Sequence, residues 1–542
     1  MHGIGRSKTG QRLFVFIFFG LFLCSGLLLF DDFGLSWDER FHVIRGELYL
    51  NYLLHRDPAV FQDNIQKNFG PLPDVLMTLI TKASGVDKDS RSFYLARHLL
   101  NFLIFFAGTV FLYLLGRRVF GDWRAGLLGS LFLVLSPRFF AQGFYNVKDI
   151  SLLTAVVIAM YTMHRFLEKP NLPRLAVHAL ACAIATDVRI MGGITAVLTG
   201  IALAFFLGKS RREPKDLLRF LGYSTGFVLI WFFLTVAFWP TLWKSPLSSF
   251  FKVLTAASAF PWYGKVFYLG KFIKDSHLPW HYIPVWILIS TPLLYLSLFI
   301  PGAGAFFFDV FKKSLVFLTR VFSLVILLWF FLPILVIILA HVPTHDEYRH
   351  IFFIYPALLL MSVKGLVTIS AFLKKLAGPR FLRTREAVLA AWLVLGLLPV
   401  GLFMFKNHPF EMVYFNRLAG KDLAQVALKF EMDYWGLSYR AGLEYLLRYD
   451  PAETIKVRAL NFPGELNSLI LRPEERKRLV FVHQDADKPK YFMTNYRLHP
   501  QDYPLEKVYA ISVGGAKILG VYRVGKPLEA SQFCPSYFPC FP

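Results

Sequence analysis

The residues best placed to do chemistry begin at Asp31-Asp32-Phe33-Gly34-Leu35-Ser36-Trp37-Asp38-Glu39-Arg40-Phe41-His42, directly after a long apolar run at residues 13–30. Four carboxylates at the mouth of a membrane helix are costly near hydrocarbon unless they lie in water or serve a site. A carboxylate in such a place can take a proton from an incoming nucleophile, or bind a hard divalent cation. The competing reading is a solvated acidic loop that caps a juxtamembrane helix. Similar polar pairs recur between later apolar runs: Lys148/Asp149, Asp187/Arg189, His345/Asp346/Glu347 and Arg349/His350. Carboxylates and cations mixed in this way suit the handling of a lipid phosphate, with the cations holding the phosphate and a carboxylate serving as base.

The elements that must position these residues are membrane helices. Of 542 residues, 55% are hydrophobic and 17% aromatic, more apolar surface than a water-soluble core needs, and mean hydropathy is +0.48. Runs of about 18 apolar residues each suffice to cross a bilayer as a helix. The expected fold class is therefore an α-helical polytopic membrane protein of about 11 transmembrane helices, with a small extracytoplasmic α/β domain at the C-terminus. The spans fall near residues 13–30, 94–115, 125–140, 150–166, 175–184, 190–207, 220–239, 285–300, 321–339, 351–369 and 388–405. Domain boundaries follow as 1–405, with an extracytoplasmic loop at 31–91, and 406–542.

The net charge of +23 does not indicate a nucleic-acid partner, because Lys and Arg sit in short tracts between apolar runs. With eleven spans every such tract falls on one side, which makes that side cytoplasmic by the positive-inside rule. The N-terminus is then cytoplasmic, the C-terminal domain is extracytoplasmic, and the polar pairs above all lie at the outer surface. The reading depends most on the short span before Asp187, whose loss would invert everything after it. Residues 31 and 32 offer no small-residue cleavage site, so the first helix is retained rather than removed as a signal peptide. Cys24 and Cys182 lie in apolar segments, whereas Cys534 and Cys540 could pair if that end meets an oxidising compartment. In the C-terminal part, residues 422–429 and 439–448 read as amphipathic helices, and 477–483, 508–513 and 518–524 as strands.

Trp37-Asp38-Glu39 follows the first helix, Asn146-Val147-Lys148-Asp149 opens the fourth, and Tyr348-Arg349-His350 with Pro356 lies in a late helix. In these stretches the membrane part resembles the GT-C superfamily of integral-membrane glycosyltransferases, which includes protein O-mannosyltransferases and lipid A aminoarabinose transferases. Phe69-Gly70-Pro71-Leu72 is similar to the family's His-Pro-Pro-Leu stretch, with Gly70 in place of the first proline. Residues 430–440 are similar to a stretch in bacterial dolichyl-phosphate-mannose-type transferases.

The resemblance implies transfer of a sugar from a polyprenyl-phosphate donor to a hydroxyl of a glycan, lipid or protein at the outer face of the bacterial inner membrane. Asp38, Glu39 and Asp149 are the expected catalytic carboxylates. Arg349, Lys148, Arg189 and His350 are the expected phosphate ligands. A divalent cation would draw on Asp38, Glu39, Asp149 and His345, and the family includes members with and without one. Direct displacement would invert the anomeric centre. The alternative from another class is a transporter or flippase for a lipid-linked solute, which should carry charges near the midplane and internal repeats. A structural subunit with an outer binding domain would leave the charged helix ends unexplained.

Overall fold

A computed structural model describes residues 8–210, 214–258, 264–377, 382–483, 488–497 and 499–525. Cys534 and Cys540, and with them the expected disulfide, lie outside the described residues.

The first helix, α1 (Lys8–Leu29), ends at the acidic stretch. The loop that follows holds the short helix its sequence suggests at residues 75–81 and a second one that the sequence does not announce. Glu39–His55 forms α2 and Leu72–Ala83 forms α3. These two pack so closely that a Cβ on Gly46 would lie 2.5 Å from the Asp74 carbonyl. Next come α4 (Arg91–Phe120), then α5 (Trp123–Val134) and α6 (Pro137–Tyr145), which meet at a bend of 71°. Pro137 accounts for the bend, since the residue before a proline is pushed out of helical geometry. The third expected span is thus a broken one, and every residue of its second half is buried.

From the end of α6 the chain enters α7 (Val147–Glu168), capped by Asn146, whose Oδ1 accepts from the Asp149 amide at 3.1 Å. The short span in doubt is α8 (Leu172–Val188), of 17 residues. At 1.5 Å per residue it measures about 26 Å, slightly less than a bilayer core. It nonetheless runs antiparallel to α7 from end to end. Arg174 near its start donates to the carbonyls of Arg165 and Lys169 at the end of α7, while Asp187 at its end meets Gly70, to which Lys148 at the start of α7 also donates. The helices α9 (Ile194–Ser210) and α10 (Pro214–Phe238) then return and go back, and Arg219 of α10 donates to the Pro170 carbonyl.

The eighth expected span is displaced. The chain breaks at Thr291-Pro292, giving a short α11 (Tyr282–Ser290) and a long α12 (Leu293–Phe311). Proline has no N–H and disfavours helix before it, and the freed Leu288 and Thr291 carbonyls accept from Asn416 Nδ2 instead. The membrane part closes with α13 (Phe317–Leu339), α14 (Tyr355–Ala377) and α15 (Leu382–Asn407). Among the described residues, nine helices are long and apolar enough to cross a membrane, ten with the bent pair counted as one span, against eleven expected. The difference is α8, which is too short for the criterion although it connects the same two faces.

Beyond α15, residues 411–525 carry α16 (Tyr439–Tyr449) and a five-stranded sheet. Its strands are β1 (Ile455–Ala459), β2 (Leu479–Phe481), β3 (Tyr491–Thr494), β4 (Glu506–Val513) and β5 (Ala516–Arg523), ordered β2-β1-β3-β5-β4. β1 pairs in parallel with β2 and β3, and the other pairs are antiparallel. Two of the strands, β1 and β3, were not expected. They are short, and β3 is buried at every position, so no alternation marks it in the sequence. Asn467 fastens this part to the acidic stretch, accepting from the Leu35 amide and donating to the Leu35 carbonyl, and Arg440 donates to the carbonyls of Asp31 and Phe33.

Candidate active site

Where α2, α6, α7 and α14 begin and α8 ends, their polar termini meet in two adjoining charge clusters. The first centres on Arg349. Its Nη1 donates to Asp38 Oδ2 at 2.7 Å and lies 3.6 Å from Asp149 Oδ2, while Nη2 is 3.3 Å from Asp346 Oδ2. Its guanidinium also lies over Trp435, 4.8 Å from the ring centre. Asp149 is buried, and its other oxygen lies 3.1 Å from Arg189 Nη2. Asp346 in turn pairs with Arg497, which reaches in from beyond β3. Three carboxylates thus face three guanidiniums in a compact, mostly desolvated group.

Asp38 is the member open to approach, with 31% of its side chain exposed against 7% for Arg349 and none for Asp149. It stands at the N-cap of α2, yet its carboxylate makes no capping hydrogen bond. Glu39 is tied instead to the loop before the helix, where its Oε2 accepts from the Ser36 amide at 2.6 Å. That separates the two acids in function. Burial raises the Asp38 pKa, but Arg349, His42 and the hydrogen bond from Arg349 outweigh it and hold the carboxyl down at about 2.

Glu39, expected among the catalytic acids, points away. It is buried against His98, whose Nε2 is 2.9 Å from Glu39 Oε1. Neighbouring side chains at a helix start diverge, so only one of the two can face Arg349. Lys148 likewise serves the second cluster, donating to the Gly70 carbonyl at 2.8 Å with Asp74 Oδ2 at 3.7 Å. Asp74 is the hub there. Arg45 donates to it at 2.9 Å, and His42 Nδ1 lies 2.9 Å from its second oxygen. Burial works against the charged form of Asp74, but His42, Arg45 and Lys148 keep it well below the usual carboxylate range. His350 packs its ring against that of His345, with centres 4.6 Å apart.

Three of the four expected metal ligands are organised around the guanidinium instead of around a common point. Asp38 and Asp149 both face Arg349, Glu39 is turned away, and His345 Nε2 accepts from Arg349 Nη2 at 3.3 Å. Burial pushes the His345 pKa down to about 3, so the ring is neutral and its lone pair is available for that bond. Among the described residues, no three His, Cys, Asp or Glu side chains converge on one position. As arranged here, these residues do not form a divalent-cation site.

Several contributors escaped sequence reasoning. Arg138 of α6 donates to Glu347 at 2.9 Å, and Tyr434 donates to the same carboxylate at 2.6 Å. Neither Arg349 and Glu347 nor Arg189 and Asp187, close in sequence though they are, form an ion pair; Asp187 Oδ1 accepts instead from the Leu72 amide at 2.8 Å. Asp346 and Glu347 both adopt left-handed backbone, with φ of 53° and 58°. Such residues cost about 1–3 kcal/mol each and persist only where their surroundings fix them. Here Arg349 and Arg497 hold the first, and Arg138 and Tyr434 the second. The signal for Arg138 was available, since an arginine inside an apolar segment rarely lacks a role.

Residues 70–239 match the model of a family described as dolichyl-phosphate-mannose-protein mannosyltransferase. That stretch holds Gly70, Asp74, Arg138, Lys148, Asp149, Asp187 and Arg189. No curated protein sequence matches the chain significantly. Similar solved structures include ArnT from Cupriavidus metallidurans bound to undecaprenyl phosphate, at 14% identity, 96% of this chain, 99% of that one and a TM-score of 0.48. The apo form of the same protein gives 12%, 95%, 98% and 0.49. The archaeal oligosaccharyltransferase AglB from Archaeoglobus fulgidus, in complex with an inhibitory peptide and a dolichol-phosphate, gives 13%, 91%, 70% and 0.47.

Proposed function

We propose that this chain is an integral-membrane glycosyltransferase of the GT-C kind, and that it transfers a sugar from a polyprenyl-phosphate donor to an acceptor hydroxyl at the outer face of the membrane; the family-model match over residues 70–239 supports the reading. Asp38 is the base. Arg349 is the principal phosphate ligand, with Arg189 beside it. The observation that carries this reading is the 2.7 Å contact between an accessible carboxylate and a buried arginine, Asp38 with Arg349. The two groups that a displacement at an anomeric carbon requires stand side by side.

The chemistry follows from their charges. A polyprenyl-phosphate sugar carries one negative charge at its phosphodiester, and the departing polyprenyl phosphate gains a second as the anomeric C–O bond breaks. Arg349, planar and permanently charged, is suited to receive that charge. The acceptor oxygen forms the new bond to the anomeric carbon, and its proton passes to Asp38. While Arg349 is paired with Asp38, the carboxylate is a weak base. A donor phosphate that draws Arg349 toward itself removes the counter-ion and makes Asp38 more basic, so base activation follows donor binding. Because attack and departure occur on opposite faces of one carbon, the product has inverted configuration.

Asp149 stays buried between Arg189 and Arg349, a place for setting the two cations rather than for accepting a proton. Lys148, committed to Gly70 and Asp74, supports the loop in preference to contacting donor. Purified protein incubated with radiolabelled polyprenyl-phosphate sugars tests the reading. Transfer to an added acceptor, or slow donor hydrolysis, is expected. The absence of both across mannosyl, glucosyl and aminopentosyl donors would count against it.

A further inference from the structure

We propose that Arg497, supplied by the C-terminal part, is a positioning residue that neutralises Asp346 and thereby leaves Arg349 free to engage the donor phosphate. This rests on Arg349 as the phosphate ligand. Asp346 divides its carboxylate between the two arginines, with Oδ1 to Arg497 and Oδ2 to Arg349. Without Arg497, the full charge of Asp346 would fall on Arg349 and compete with any incoming phosphate.

Arg497 is a fixed cation and not a loose surface one. Its Nη1 donates to the Tyr434 carbonyl at 3.0 Å, and its guanidinium lies over Trp37 at 5.5 Å and Tyr434 at 5.9 Å. One further acid is near, Glu431 Oε1 at 3.7 Å from Nε. Burial raises the Glu431 pKa, and at that distance its hold on Arg497 is weaker than that of Asp346, which Arg497 contacts directly. Asp346 cannot escape by moving away. Its left-handed backbone is continuous with that of Glu347, which Arg138 holds from α6. The position of Asp346 is therefore set by the turn, while its charge is offset by Arg497, and the two effects can be separated by substitution.

The probe is radiolabelled undecaprenyl phosphate, titrated against the full chain in detergent micelles. Arg497→Ala should weaken binding about tenfold. Adding Asp346→Asn to that variant removes the carboxylate that Arg497 offsets, and should bring affinity back to within about threefold of the parent. A purely structural role for Arg497, through Tyr434 and Trp37, would not be rescued by that second change. Arg497→Lys keeps the charge without the planar fork, and should also stay within about threefold; it serves where the alanine variant fails to fold. The proposal is overturned if Arg497→Ala binds like the parent, if the double variant is as weak as the single one, or if the lysine variant loses tenfold. A well-folded parent that does not bind undecaprenyl phosphate would instead overturn the phosphate reading of Arg349 on which this rests.

Discussion

A carboxylate that is to serve as base must stay ionised and must be reachable, and these demands conflict in a desolvated site. Asp38 meets both through Arg349. Burial alone would raise its pKa, but the arginine more than offsets this and holds it at about 2, while a third of the side chain remains open. A depressed carboxylate stabilises the fold above its unfolded value of about 4 and loses that contribution as pH falls through the folded one. Asp38→Asn keeps the size and removes the base, so transfer should fall on the order of 10²- to 10⁴-fold with expression and donor affinity retained. Near-normal turnover in that variant would leave the acidic stretch as a solvated loop. Arg349→Ala should weaken donor binding, and Arg349→Lys should rescue it poorly because the lysine lacks the planar fork. The alanine variant also frees Asp38, so the acid limb of its residual transfer should move upward toward the ordinary aspartate range; an unmoved limb in rate measurements between pH 3 and 8 would break the link between the two residues. The sequence made Asp38, Asp149 and Arg349 legible because each is a charge at the end of an apolar run. It could not separate Asp38 from Glu39, since that depends on which side chain the first turn of α2 turns inward. Arg497 was hidden because its partner, Asp346, is 151 residues away.

At the scale of elements, the site depends on helix ends that approach more closely than side chains allow. Gly70 is the clearest case. A Cβ there would sit 1.7 Å from the Asp187 carbonyl oxygen, backbone against backbone, with no flexible tip to yield. This explains why a glycine stands where the resembling motif has a proline: the entry to α3 is pressed against the end of α8. The same contact puts the Gly70 carbonyl within reach of Lys148. Gly70→Ala should therefore part α3 from α8, lower the thermal midpoint by several degrees and reduce donor binding, on the overpacking cost of about 1–3 kcal/mol. Gly200→Ala in α9, where nothing lies within 4 Å, is the matched control and should leave the midpoint unchanged or slightly raised. Equal midpoints for the two variants, measured in the same detergent, would show that the contact yields more easily than its geometry implies. Helix existence was legible from apolar runs alone, whereas the breaks at Ser136-Pro137 and Thr291-Pro292 needed the prolines to be weighed against otherwise continuous hydrophobicity. The helix α2 was missed because its polar and apolar residues follow no strong stripe; it is held from one side by α3 and reads as loop.

Across the whole molecule, the two ends of the helices differ in character. One carries the charge clusters and the C-terminal sheet. The other gathers basic residues that pair locally or cap helix ends, as in Arg118 with Glu168, Arg174 on the carbonyls of Arg165 and Lys169, Arg219 on that of Pro170 and Arg320 on that of Val310. Few of these cations are consumed by acids, so they are available to interact with lipid headgroups and to fix orientation through the positive-inside rule. The short helix α8 decides the parity of the chain. Because it runs from Lys169 at the basic face to Asp187 beside Lys148, the helices after it keep the alternation read from the sequence, and α15 leads to the face that bears the sheet. A reporter fused after Pro542 should then be active only outside the cytoplasm, and one fused after Lys209 only within it. The pair tests α8 directly, since a chain in which it did not cross would give both reporters the opposite compartments from those stated while leaving fusions before Leu172 unchanged. A cytoplasmic signal from the Pro542 fusion and a reversed one from the Lys209 fusion, with an unaltered signal from a fusion after Glu168, would confine the error to the α8–α9 pair and would put Asp38 and Arg349 on different sides of the membrane, a separation that their 2.7 Å contact does not permit.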